Sequence, residues 1–517
     1  MKFNLNSFRI LFLLVIVSGF VSCEKKSPVT KSPNIILFLV DDMGWQDTSV
    51  PFWHKKTPFN DIYETPGMER LAAAGMKFTN AYASSVCSPT RVSLMTGMNA
   101  ARHRVTNWTL RKDQLQPMET RHKTLEFPEW NINGLDPTGK TKGAVHATPL
   151  PQLLADAGYF TIHAGKAHLG AIGTPGSDPV NLGFKVNIAG HAAGAPKSYL
   201  GTENFGNNGD PNNVWAVPGL DQYHGKDIFL TEALTQEAIK AMDRARGNDQ
   251  PFFLYMAHYA VHTPLYADRR FFEKYLQKGL DTIEAKYASL VEGMDKSLGD
   301  LLDYVEANEL EEETIILFMS DNGGLSAVAR KPPMHRHNAP LKSGKGSAYE
   351  GGIRVPMLVK WPGITQANSS TETPVIIEDF YPTILKMAGI EKPSTIQTVD
   401  GVDLSGVLSD QDMKERSLYW HYPNFWGASG PGIGSASYVR SGSMKLIYYH
   451  EDRRLELFDL DKDLEESNDL SKSEPEKLKK LAQDLTDHLK KTNAQMPKDK
   501  VSGETIPYPI EVIESMK

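Results

Sequence analysis

The run Asn34-Ile35-Ile36-Leu37-Phe38-Leu39-Val40 has no polar break and stops abruptly at Asp41-Asp42-Met43-Gly44. A strand with one wet face alternates apolar and polar residues, so an unbroken apolar run belongs to a strand covered on both faces. The pattern recurs at Thr314 to Met319, before Ser320-Asp321-Asn322-Gly323-Gly324, and at Pro251 to Met256, before Ala257-His258-Tyr259-Ala260-Val261-His262-Thr263-Pro264. A fourth segment, Gly158 to His163, leads to Gly165-Lys166-Ala167-His168-Leu169-Gly170. Between them lie helical stretches. In Ile283 to Val305 the residues Tyr287, Leu290, Val291, Met294, Leu298, Leu301, Leu302 and Val305 keep helical spacing. Doubly covered strands alternating with helices predict an α/β fold, and in open α/β sheets ligands bind outside the C-terminal strand ends. Here those ends carry the polar clusters.

The expected catalytic domain spans residues 34–410, and the tail, 411–517, changes character. Ser437 to Arg440, Met444 to Tyr449 and Leu455 to Leu460 read as a meander of short strands. A helix from about Pro475 to Lys491 then carries Leu478, Leu481, Leu485 and Leu489 on one face. This predicts a smaller α+β subdomain, a short antiparallel sheet plus a helix. The formal charge of −7 offers no basic face and excludes nucleic acid as the expected partner.

At the other end, Lys2 and Arg9 precede the apolar stretch Ile10 to Val21, which closes on Ser22-Cys23. That is the layout of a bacterial export signal over residues 1–22, too short for a membrane span. Cys23 at the cut resembles a lipobox, which would anchor the mature chain to a membrane through a diacylated cysteine, with residues 23–33 as tether. Localisation would then be periplasmic or at the cell surface. A plain secretory signal, or a Cys23–Cys87 disulfide in an oxidising compartment, are the alternatives.

Asp41, Asp42, Asp321 and Asn322 bring hard oxygen donors from two strand ends. Such a set suits Ca²⁺ or Mg²⁺ and does not suit Zn²⁺. In Cys87-Ser88-Pro89-Thr90-Arg91-Val92-Ser93-Leu94-Met95-Thr96-Gly97, Ser88 is expected to cap a helix with Pro89 at its first position. The free N–H groups there favour an anion beside Cys87, and Arg91 lies one turn in.

Cys-x-Pro-x-Arg followed by Thr-Gly resembles the signature of type I, formylglycine-dependent sulfatases of the alkaline-phosphatase superfamily. The likeness extends to Gly165-Lys166-x-His168-Leu169-Gly170, His262-Thr263-Pro264, Gly344-Lys345-Gly346, Tyr349-Glu350-Gly351-Gly352-Ile353-Arg354-Val355-Pro356, Lys445-Leu446-Ile447 and Glu456-Leu457-Phe458-Asp459-Leu460. Ala167 departs from it, since many relatives carry Trp there. The resemblance implies an alkaline-phosphatase-like mixed, mostly parallel sheet sandwiched by helices. It also implies a maturing enzyme that oxidises Cys87 to formylglycine, whose hydrate attacks sulfur; the ester left behind collapses when the second hydroxyl loses its proton. Cys87 would join Asp41, Asp42, Asp321 and Asn322 around the metal. Arg91 would neutralise charge, Lys166 and Lys345 would clamp sulfate, His168 would take the hydrate's proton, and His262 would protonate the departing oxygen.

Substrate identity is expected in three polar stretches outside these motifs: Arg102 to Arg104, Gly190 to Tyr223 with His191, Lys197, Asn207, Asn208 and Trp215, and Arg330 to Asn338. His103 and His337 are the expected sugar contacts, with His258 facing either substrate or core. A sulfated carbohydrate, with a leaning towards galactose-type sugars, is the expected substrate. A phosphonate or phosphate ester hydrolase of the same superfamily, and a catalytically silent glycan-binding lipoprotein, are the rival readings.

Overall fold

The apolar runs assemble side by side. The structure, a computed structural model, describes residues 32–515; the expected signal (1–22), Cys23 and the tether as far as Lys31 lie outside them. Nine strands form the main sheet: β1 (Asn34–Val40), β2 (Met76–Tyr82), β3 (Phe160–Gly165), β4 (Val186–Ile188), β5 (Phe252–Ala257), β6 (Thr314–Ser320), β7 (Arg354–Lys360), β8 (Ser369–Thr371) and β9 (Val375–Ile376). Their order is β9-β2-β7-β6-β1-β5-β3-β4, with β8 also beside β2. β1 lies centrally and parallel to both neighbours, Ile36 pairing with Leu254 and with Ile316.

β1 feeds two cores. Ile35, Leu37 and Leu39 meet Val92, Leu94 and Met95 of helix α1 (Cys87–Thr96) on one face. Ile36, Phe38 and Val40 meet α2 (Leu230–Gly247) and α3 (Thr282–Ala307) on the other. Each such side chain, fully buried, contributes roughly 1.5–3 kcal/mol. Of the eight apolar positions expected along α3, seven are buried and Leu302 is half-buried. The arrangement is the mixed, mostly parallel, helix-flanked sheet of the alkaline-phosphatase-like fold.

The antiparallel β7 makes the sheet mixed, as expected, and the cap of helix α1 is the detail that differs from the sequence reading. β7 runs antiparallel to both β2 and β6. β2 carries partly exposed Lys77, Thr79 and Asn80, which break its apolar run, and its pairing with β7 shifts register between Phe78 and Ala81. Helix α1 begins at Cys87, with Val86 as its N-cap. Ser88 is therefore inside the helix and does not cap it: its hydroxyl donates to the His168 carbonyl (3.3 Å) and accepts from the Thr109 N–H (3.2 Å). Pro89 still falls in the first turn, where a missing N–H costs nothing.

The tail sheet has four strands, β10 (Ser417–Tyr422), β11 (Ala436–Ser441), β12 (Met444–Tyr449) and β13 (Leu455–Asp459), in a simple antiparallel meander. One face packs Val439, Leu446 and Leu457 against Leu481, Leu485 and Leu489 of α4 (Pro475–Lys491). The other sends Trp420, Tyr438, Ile447 and Phe458 into the main core. Buried charges stitch the junction. The Lys445 ammonium donates to Glu350 Oε1 (2.9 Å) and lies 2.9 Å from Glu466 Oε1, while the Tyr82 hydroxyl donates to Glu350 Oε2 (2.7 Å). Among the described residues no helix is long and apolar enough to cross a membrane.

Candidate active site

The ends of β1, β3, β5 and β6 converge beneath a cleft of about 700 Å³ whose lining includes Cys87, His168, His262 and Lys345. Asp41 and Asp42 follow β1, and both are fully buried. Asp42 lies in the left-handed region (φ 61°), as does His168 (φ 53°). Such strain in non-glycine residues is held only where surrounding structure enforces it.

Three cations meet three carboxylates on the cleft floor. The Lys166 ammonium donates to Asp41 Oδ2 (2.6 Å), and the Lys345 ammonium sits 2.6 Å from Asp42 Oδ1. Arg91 is fully buried, placing Nε 2.9 Å from Asp321 Oδ2 and donating from Nη1 to the Lys166 carbonyl (2.8 Å). Asn322 Nδ2 donates to Asp42 Oδ1 (2.7 Å). Burial opposes the charge of Asp42, yet Lys345, His262 and Lys166 hold its carboxyl down at about 2. Burial and the neighbouring Asp321 push Asp41 well above the usual carboxylate range.

Asp41 Oδ1, Asp42 Oδ2 and Asn322 Oδ1 are buried acceptors with no hydrogen-bond partner. Buried polar atoms rarely go unpaired, because desolvation is then uncompensated. One ligand atom each from Asp41, Cys87 and Asp321 lies within 4.8 Å of the others. The residues thus fit a hard dication, which would restore partners to three orphaned oxygens.

Cys87 is 4% exposed, and burial raises its thiol pKa although Lys166 and Lys345 pull the other way. His168 Nε2 donates to the Thr109 carbonyl (2.9 Å), which assigns the proton to that nitrogen. Nδ1 is left unprotonated and unpartnered. Burial, then Lys166 and Arg91, keep this imidazole well below its ordinary pKa. Gly194 makes room for it: a Cβ there would stand 2.4 Å from the ring. His262 Nδ1 donates to the Thr263 carbonyl (2.7 Å), and Nε2 stands 3.6 Å from Asp42 Oδ2. Burial and Lys345 lower His262 to about 3, so the ring is neutral while Lys345, beside Asp42, stays charged.

His103 and His337, the expected sugar contacts, do not line the cleft, and His258 takes its core alternative. His103 is fully buried, hydrogen-bonded to Ser93 Oγ (3.0 Å) and accepting at Nδ1 from the Val105 N–H (3.0 Å). His258 is fully buried with Nε2 on Ser297 Oγ (2.8 Å). His337 is turned onto Ser326 Oγ (3.1 Å) and the Lys331 carbonyl (2.8 Å). None of the three lines the cleft and each is held by internal hydrogen bonds, although Nδ1 of His258 has no partner. Arg102, which pairs with Asp400, and Arg330, which pairs with Glu284, are likewise structural. Of the three polar stretches only Gly190 to Tyr223 reaches the cleft, through Gly194 to Lys197 and Trp215. Trp108, Met118, Tyr266 and Trp426 complete the walls. Trp426 lies over Gly346, and the Lys345 ammonium is 5.6 Å from its ring centre. The aromatic wall absent at Ala167 is thus supplied by tryptophans from separate loops, which no local spacing in the sequence connects.

The sulfatase family profile matches residues 33–390, and a second profile, N-sulphoglucosamine sulphohydrolase, C-terminal, matches residues 344–495. The chain belongs to the sulfatase family and is a sulfuric ester hydrolase. It is 29% identical to a sulfatase of Formosa agariphila, over 97% of this chain and 96% of that one. It is 30% identical to the N-acetylgalactosamine-6-sulfatase of Mus musculus, over 80% of this chain and 72% of the relative. Among solved structures it is similar to Ps i-CgsB, with a TM-score of 0.70 and 26% identity over 94% of this chain and 96% of that one. The same protein in complex with k-i-k-neocarrahexaose gives a TM-score of 0.68.

Proposed function

We propose that the protein removes sulfate from a carbohydrate, using Cys87 matured to formylglycine by a sulfatase-maturing enzyme, together with Ca²⁺ held by Asp41, Asp42, Asp321 and Asn322. The observation that carries this reading is the set of three orphaned buried oxygens beside Cys87, ringed by Arg91, Lys166 and Lys345. When present, the dication and the aldehyde hydrate would supply a positive floor for an anionic ester and an activated hydroxyl nucleophile. The chain's own groups do the rest. Arg91 holds Asp321, and Lys166 and Lys345 present ammonium groups to sulfate oxygens. His168, with Nε2–H tied to Thr109, offers Nδ1 to receive a proton. Lys345 holds a proton near the departing sugar oxygen, and an anionic group between it and His262 would raise the imidazole so that it can share that task.

A galactose-type sugar fits the named relatives, an N-acetylgalactosamine-6-sulfatase and a protein solved with a carrageenan oligosaccharide. The export signal and the lipid anchor at Cys23 complete the proposal, placing the enzyme outside the cytoplasm. Two measurements test it. Protein from the native host should carry an aldehyde at Cys87, read by mass analysis of that peptide. It should also turn over aryl sulfate faster than aryl phosphonate or phosphodiester; the reverse preference would sink the sulfate assignment in favour of the phosphonate hydrolase reading.

A further inference from the structure

A second cleft, about 520 Å³, adjoins the active site. It is lined by Met118, Arg121, His122, Lys123, Phe425 and Glu451. Met118 forms part of both walls, and the consecutive aromatics Phe425 and Trp426 place one ring in each cleft. The two hollows are therefore continuous along one ridge of the protein. Small-molecule pockets run to about 300–1,000 Å³, so each hollow is large enough to hold a sugar.

The charges in this second cleft differ from those on the catalytic floor. There Arg91, Lys166 and Lys345 are matched by Asp321, Asp41 and Asp42. Here the Arg121 guanidinium and the Lys123 ammonium have no partner among the described residues. Glu451 is already engaged: it accepts from Thr124 Oγ1 (2.5 Å) and faces His122 Nε2 at 4.0 Å. A third cation, Lys500, stands beside it and donates to the His122 carbonyl (2.6 Å). The floor is apolar, with the His122 ring edge-on to Phe425 at 5.3 Å. Two uncommitted cations over an aromatic floor suit a sugar ring that carries a sulfate or a carboxylate.

We propose that this cleft binds an anionic sugar adjoining the one that loses its sulfate, so that the enzyme recognises its substrate as a polyanionic oligosaccharide. The inference rests on the carbohydrate sulfatase reading above. It is tested apart from turnover by measuring binding to the Cys87→Ala protein in Ca²⁺-containing buffer. The probes are chondroitin 6-sulfate hexasaccharide, whose neighbouring sugar is a uronate, neocarrahexaose, whose neighbours are sulfated, and galactose 6-sulfate, which has no neighbour. Adding Arg121→Met and Lys123→Met together should weaken binding of at least one hexasaccharide about five-fold, as two exposed ion pairs would. The monosaccharide should change by less than about two-fold, and the salt dependence of hexasaccharide binding should flatten. The hexasaccharide that responds identifies the anion as carboxylate or sulfate. No binding of either hexasaccharide, no response to the double substitution, or equal losses on all three probes would overturn the proposal. Failure of the native enzyme to release sulfate from any substrate would instead remove the catalytic reading and leave the binding result to be judged by itself.

Discussion

Lys445→Met removes the one cation shared by Glu350 and Glu466 while keeping a stem of similar bulk. All three side chains are fully buried at the junction between the tail sheet and the main core. Two 2.9 Å contacts vanish; Glu350 keeps Arg354, whose Nη1 stands 3.4 Å away, while Glu466 keeps the Glu350 N–H (2.7 Å) and no cation among the described residues. Breaking a buried pair from one side costs about 3–5 kcal/mol, a large share of the roughly 5–15 kcal/mol that holds a folded protein together. The pH dependence has a definite sign. Burial raises Glu466 from 4.5 to about 7 even with Lys445 present. A raised carboxyl contributes stability that is complete below its unfolded pKa and lost as pH rises through its folded value. Glu350 is the opposite: burial is outweighed by Lys445, Arg354 and Arg440, so its stabilisation is complete above 4.5 and lost as pH falls through about 2. Without Lys445 the burden on Glu466 grows, so the destabilisation at pH 8 should exceed that at pH 5.5. Urea unfolding at both pH values, followed by tryptophan fluorescence at fixed Ca²⁺, measures it. A loss below about 1 kcal/mol, or a larger loss at pH 5.5, would refute the reasoning.

Gly194→Ala puts a methyl group 2.4 Å from the His168 ring; kcat should fall about 100-fold with KM little changed, and full activity would remove His168 as proton acceptor. Chelation should lower the thermal midpoint and Ca²⁺ should restore it, with about 2.7 kcal/mol gained at a hundred-fold excess over Kd. Asn322→Ala should weaken that Ca²⁺-dependent shift, and a midpoint indifferent to Ca²⁺ in the native protein would remove the metal site. His103→Ala should cost about 1–3 kcal/mol in stability, since Ser93 Oγ and the Val105 N–H lose their partner. A change confined to KM would return His103 to the substrate.

Legibility in the sequence followed the kind of force involved. Buried strands and amphipathic helices write themselves as period and composition: β1 was expected at Asn34 to Val40 and α4 at Pro475 to Lys491, and both stand there. Strands of two or three residues such as β8 and β9 are too short to leave a pattern, although Val375 and Ile376 are buried, and partly exposed Ser417 and Tyr419 break the apolar run of β10. On the cleft floor the residues named from the sequence do meet, because four strand ends, helix α1 and the loop carrying Lys345 come to one place. The histidines divided: His168 and His262 line the cleft, whereas His103, His258 and His337 do not. His103 and His168 are both buried and hydrogen-bonded, and only the tertiary position of the second, with a bare Nδ1 at the cleft, separates brace from base. Arg121 and Lys123 drew no notice in the sequence, because their significance comes from Phe425, some three hundred positions away, closing the same hollow.

Trp426 lies on the connection between β10 and β11, whereas Cys87, Lys166, His168 and Lys345 all belong to the main sheet and its loops. The reacting groups and one wall of the substrate cleft are thus carried by different sheets. Residues 423–435 join two strand ends held in antiparallel register, and they touch the main domain through the Ser347–Ile433 bridge and the Asn424–Glu119 hydrogen bond. Substrate preference in such a molecule can drift through a tail loop while the apparatus around Cys87 stays as it is. Exchanging that loop between related chains offers a route to new sugar preferences on an unaltered reaction centre.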